Sequence, residues 1–184
     1  MAFSAWAIQP QMPEIRIEPT ETGSVVHIHN PTTQALTAVC LATADHPLWE
    51  DEIREPIPPG GEKSVVFSHP GPVKVQAALY ADGTSWGDAG LVGQLVELRR
   101  FELTTARDLI KTLQKAQQMN TPKATVVGDL KVQADALKVQ PNEESAEDLI
   151  LRTIGQLNGT KSYSDVLVDL LKEESNIATS RPEV

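Results

Sequence analysis

What most restricts the fold of this chain is a change of period near residue 87. Before Trp86, apolar and polar side chains alternate over short stretches; after Asp88, apolar side chains return at every third or fourth place. Alternation sends successive side chains to opposite faces of a strand, whereas steps of three and four line one face of a helix. The order of the two patterns predicts an α+β chain: an N-terminal antiparallel immunoglobulin-like β-sandwich, a long helix, and a small C-terminal all-helical region.

In the first half, "EIRIE" places Ile15 and Ile17 on one face, and "SVVHIHN" sets Val26 and Ile28 opposite His27 and His29. "NPTTQ" reads as a turn, because Asn-Pro initiates one and Pro31 has no N–H for a ladder. "ALTAVCLAT" is apolar at nearly every position, as a strand covered on both sides requires. A weak strand is expected near 53–57, another after the Pro-Gly turn in "PPGGEKSVVFS", and a third in "VKVQAALYA" with Val73, Val75, Ala77 and Leu79 inward. Short strands bounded by Pro or Gly favour an antiparallel sandwich. About six are readable, one short of the usual seven. The missing strand leaves an edge or a strip of core to be covered, by the long helix or by a strand from another chain.

Leu91, Leu95, Leu98, Leu103, Ala106, Ile110 and Leu113 mark the long helix, which reaches ~45 Å if unbroken to Met119. Pro122 stops it and suits the first turn of a second helix carrying Val127, Leu130, Ala134 and Leu137. A third follows with acids in its first turn, a stripe through Ile150, Ile154 and Leu157, and Gly159 as its stop. Ser162 and Asp165 form a capping-box pattern ahead of Leu167, Leu170 and Leu171. No fixed-period repeat is read. The expected division is a sandwich over 10–87, a connecting amphipathic helix over 88–119, a helical region over 120–174 and a flexible tail over 175–184.

A net charge of −9 argues against a nucleic-acid partner, which clustered Lys and Arg would serve. No apolar run is long enough for a transmembrane segment. The N-terminus lacks the basic and apolar regions of a secretory signal, so a cytoplasmic site is expected unless a signal was removed, in which case the site is periplasmic or extracellular. Cys40 is the only cysteine, so no internal disulfide forms.

Several segments together, "VVHIHNPTTQALTAVCLAT", "PPGGEKSVVFS" and "VKVQAALYADGTSWGD", resemble an immunoglobulin-like domain of uncharacterised bacterial proteins, notably from acidobacteria. The resemblance covers roughly Glu14 to Arg100, is most specific over Asp82 to Asp88, and implies an extracytoplasmic β-sandwich with no assigned activity. The segment from about Thr121 onward carries no resemblance.

Candidate chemistry is sparse. "YADGTSWGD" has glycines, acids and hydroxyls ahead of a helix, but it matches neither a phosphate loop nor an EF-hand loop. Its better reading is a structural corner: Asp82 and Gly83 turn the chain, Trp86 plugs the end of the sandwich and Asp88 caps the helix. His27 and His29 project from one strand face about 7 Å apart, and a metal there would need a third ligand, with Asp45 and His46 at hand. Without one, they are polar residues beside Glu14, Arg16 or Glu18. Cys40 reads as a core residue, the carboxylates of "WEDEIRE" as a solvated loop, and Asn158-Gly159-Thr160 as a helix stop that happens to fit a glycosylation sequon. Trp49 is a possible partner anchor. The expectation is a non-catalytic interaction or structural protein without a cofactor. It would bind a protein partner or itself through helical stripes or an open strand edge. The competing expectation is a metal-dependent hydrolase built on His27, His29 and the Asp45–His46 loop.

Overall fold

The computed structural model describes residues 11–182 apart from 22, 44–49, 52, 54, 68–71 and 138–143. The chain is α+β, with strands in two open antiparallel sheets followed by four helices. It divides into two compact units, Met1–Leu95 and Val96–Val184.

In the first unit, β1 (Glu14–Pro19), β2 (Ser24–His29) and β5 (Glu62–Phe67) form one sheet in the order β1-β2-β5. The other sheet has the order β4-β3-β6-β7, from β3 (Leu36–Thr43), β4 (Glu50–Asp51), β6 (Val73–Tyr80) and β7 (Ser85–Gly87). One hydrophobic cluster draws on both sheets: Val26, Ile28 and Val65 from the first, Val39, Leu41, Val73, Ala78 and Tyr80 from the second. Every residue of β3 is buried, which explains its lack of alternation.

Three details depart from the alternation pattern. Among the described residues of 53–57, no continuous strand forms. Ile53 and Ile57 are buried in the core, but only Ile57 bridges Leu36, and the two-residue β4 lies upstream. Secondly, β7 forms where a bare corner was expected, because the Asp82-Gly83 turn folds Ser85–Gly87 back onto Ala77–Leu79 of β6. Thirdly, Ala78 and Tyr80 join the cluster in place of Ala77 and Leu79, which are buried outside it. The register of β3 against β6 shifts between Leu36 and Ala38 and between Cys40 and Leu41. Each one-residue shift changes which side chains face a given side.

The second unit is helical. Helix α1 (Ala89–Gln118) runs unbroken across the boundary between the units, followed by α2 (Lys123–Leu137), α3 (Glu144–Asn158) and α4 (Tyr163–Ala178). Most of α1 is part of this core rather than a connector, since Leu103, Ala106, Leu109, Ile110, Leu113 and Ala116 join its cluster. Helix α4 extends past residue 175, where a tail was expected, to Ala178, and Ile177, two helical turns on from Leu170, joins the core cluster.

The helical unit holds a repeat that the sequence reading misses. An offset of 40 residues carries the end of α1 at Gln118 onto the end of α3 at Asn158, and the start of α2 at Lys123 onto the start of α4 at Tyr163. Buried positions coincide at the same offset: Ala106 with Ala146, Leu109 with Leu149, Ile110 with Ile150, Leu113 with Thr153, Val126 with Val166, Val127 with Leu167, Leu130 with Leu170. The hairpins also exchange matching bonds. The Tyr163 hydroxyl donates to the Thr121 carbonyl at 2.9 Å, and the Lys123 ammonium donates to the Lys161 carbonyl. Positions 121 and 161 accept and 123 and 163 donate, the pattern that a two-fold relation between two hairpins produces.

Candidate functional site

The stretch Tyr80–Asp88 is built from backbone demands. Gly83 has φ +86°, and its N–H bonds to the Tyr80 carbonyl. The Asp82 carboxylate accepts from the Thr84 N–H at 2.9 Å and from the Thr84 hydroxyl at 2.6 Å, an Asx-type turn. Gly87 has φ +103°, and a Cβ there would stand 2.0 Å from the Gln76 carbonyl oxygen, so only glycine fits. Trp86 is half-buried against the core cluster. The Asp88 carboxylate accepts from the Leu91 N–H at 3.0 Å, which satisfies an orphan donor in the first turn of α1. The side chains of Asp82 and Asp88 accept bonds from their own loop and helix, and the two glycines answer to the path of the chain.

The outer face of the β1-β2-β5 sheet gathers the histidines with the acids. Register sets His27 between Arg16 and Ser64, and His29 between Glu14 and Glu62. His27 Nδ1 is 2.8 Å from the Ser64 hydroxyl and 3.8 Å from Glu62 Oε1, while its Nε2 lies 3.4 Å from Glu18 Oε1 without hydrogen-bond alignment. The bond from Arg16, and next the nearness of His27, hold the Glu18 carboxyl below the usual range. Among the described residues, no three His, Cys, Asp or Glu side chains converge as a metal ion requires. Asp45, His46 and Trp49 lie outside the described residues. Cys40 is buried in β3.

Two polar features escaped the sequence reading. Asn30 is fully buried and joins two turns. Its amide donates to the carbonyls of Gln34 at 2.7 Å and Ile57 at 2.9 Å, and its oxygen accepts from the Thr32 N–H and hydroxyl. A lone Asn before Pro-Thr-Thr signals a turn but not its distant partner. Tyr80 is buried, donates to the Gln11 carbonyl at 2.6 Å, and burial pushes its hydroxyl up to about 12.

Exposed apolar side chains on regular elements are the remaining surface feature. Val66 on β5 is 70% exposed, and on the helices Val132 (72%), Val168 (65%) and Leu171 (48%) face solvent. Val168 and Leu171, three apart on α4, share a face with the exposed Ser164 and Ser175. Among the described residues, no helix is long and apolar enough to cross a membrane. No protein-family model, curated protein or solved structure matches the chain.

Proposed function

We propose that this chain is a non-catalytic binding protein, an immunoglobulin-like sandwich joined to a helical unit whose surface engages another protein. The sandwich is supported by the strand order. Labelling β1, β2 and β5 as strands A, B and E, and β3, β4, β6 and β7 as C, C′, F and G, gives orders compatible with an immunoglobulin-like arrangement, although no D strand lies beside E among the described residues. The binding role rests on Val168 and Leu171. A folded helix with its core stripe satisfied still presents two adjacent apolar side chains to water, between small serines that leave them accessible. Contiguous exposed apolar surface is where interaction sites are sought, and these two side chains are its start on α4.

Site-specific photo-crosslinking in the native cell tests this. A photoreactive residue at Val168 should give an adduct with another protein, and one at Thr112, on the polar exposed side of α1, should not. Equal labelling at both positions, or none at Val168, refutes the reading.

A further inference from the structure

We infer that Asn158 is a site of spontaneous modification, where the side-chain amide is lost to solvent water and the residue becomes aspartate or isoaspartate. The inference is independent of the binding role proposed above. It starts from the last turn of α3, where Asn158, Gly159 and Thr160 are all exposed. Gly155 lies in that turn and Gly159 just past it, and neither has a left-handed backbone. An added Cβ would meet nothing within 4 Å at Gly155, and only ordinary contacts at 3.5 and 3.6 Å at Gly159. Neither the path of the chain nor its packing requires glycine here. The first hairpin carries Lys115 and Met119 at the same places. Glycine weakens a helix relative to such residues, so the end of α3 is loosened. The Gly159 N–H is shared between the carbonyls of Gly155 at 3.2 Å and Gln156 at 3.3 Å, long for bonds of this kind.

An exposed amide beside a weakly held, unhindered backbone nitrogen is what closure of a cyclic imide needs. The Gly159 nitrogen attacks the side-chain carbonyl carbon of Asn158. A C–N bond forms, the bond to Nδ2 breaks, and ammonia leaves with the proton from Gly159. Water then opens the ring, its hydroxyl joining one carbonyl carbon and its hydrogen returning to the nitrogen. Opening on one side gives aspartate; opening on the other gives isoaspartate, with the main chain routed through the side chain. Nothing is oxidised or reduced. The other described asparagines lack this combination. Asn30 is buried and precedes Pro31, which has no N–H. Asn120 is exposed, but the nitrogen of β-branched Thr121 bonds the Ala116 carbonyl at 2.9 Å. Asn176 lies inside α4 ahead of buried, β-branched Ile177. At the place matching Asn158 the first hairpin has Gln118, whose longer side chain closes a larger ring more slowly. Either product puts a negative charge at the C-terminal end of α3, which the helix dipole disfavours. Isoaspartate also lengthens the main chain shortly ahead of the Lys161 carbonyl that receives the Lys123 ammonium, so the modification weakens the pairing of the hairpins.

The test is to age the full chain, folded, in mildly alkaline buffer at physiological temperature. Peptide mapping by mass spectrometry then follows conversion at each asparagine, and labelling by an isoaspartyl methyltransferase reads the isoaspartate. Asn158 should convert at least about tenfold faster than Asn120. Gly159→Ala, which places a side chain beside the attacking nitrogen, should slow conversion by a similar factor, with circular dichroism checking that the variant folds. Conversion at Asn158 only after unfolding in urea, or no faster than at Asn120, overturns the site, as does a Gly159→Ala chain as reactive as the wild type. The converted protein, separated by anion exchange, should melt at a lower temperature than the unconverted. Equal melting overturns the effect on hairpin pairing.

Discussion

The two hairpins of the helical unit agree inside and differ outside. At an offset of 40 residues, Ala-x-Asp-Leu-Ile at 106–110 becomes Ala-x-Asp-Leu-Ile at 146–150, and Val126, Asp129 and Leu130 become Val166, Asp169 and Leu170. The surface has drifted much further: Lys111 becomes Leu151, Gly128 becomes Val168 and Lys131 becomes Leu171. A buried position is held by volume and contact, since losing even one methylene in a packed core is felt. An exposed position is held only by what it meets in solution. The shared interior therefore explains the shared fold, while the exteriors differ, with Gly128 and Val132 on one hairpin and Val168 and Leu171 on the other.

The strongest test of that equivalence uses Leu130 and Leu170, both buried at matching places. Leu130→Ala and Leu170→Ala should each cost roughly 2–5 kcal/mol in denaturant titrations. A loss at one site less than half that at the other would show that the hairpins do not share the core equally. Smaller effects should separate the helix starts. At α4, Ser162 caps the helix by accepting from the Asp165 N–H, and the Asp165 side chain accepts from the Ser162 N–H in return. Ser162→Ala should cost about 1 kcal/mol. Pro122 holds the same place ahead of α2, and Pro122→Ala should cost about 0.4–1 kcal/mol, through freedom restored to the unfolded chain.

The smallest expected effect is in acid. Bonds from the Ser162 hydroxyl, then from its N–H, hold the Asp165 carboxyl below the ordinary value of 3.8. A depressed folded value means that the carboxylate stabilises the fold above the unfolded value and that this is lost as pH falls through the folded one. Thr125 stands at the equivalent place in the first hairpin and does not titrate. Asp165→Asn should flatten the fall of the melting temperature below about pH 4. An unchanged acid limb would remove the cap from the account of how the second hairpin differs.

Much of the architecture was legible. Alternation at Val26 and Ile28 and the helical steps through Leu103, Ala106, Ile110 and Leu113 mark elements because burial imposes its period directly on composition. The repeat was written there too, in the two Ala-x-Asp-Leu-Ile runs, but lay hidden among diverged surface residues. What escaped the reading depends on partners distant in the chain. Asn30 reaches Ile57, and Gly87 is required by the Gln76 carbonyl. Of the candidate site residues, Asp82 and Gly83 make the turn between β6 and β7, Trp86 lies in β7 and Asp88 caps the start of α1. His27 and His29 share a sheet face, but no metal-like cluster forms around them among the described residues.

The sequence by itself determined the element types, their order and which stripe of each helix turns inward, since these follow from the spacing of apolar side chains along a regular backbone. Tertiary structure alone decided the sheet order, the register shifts that bring Ala78 and Tyr80 into the core, and the paired bonds between residues 121 and 163 and between 123 and 161. Such features depend on which segments meet across the fold, and local periodicity carries no record of that.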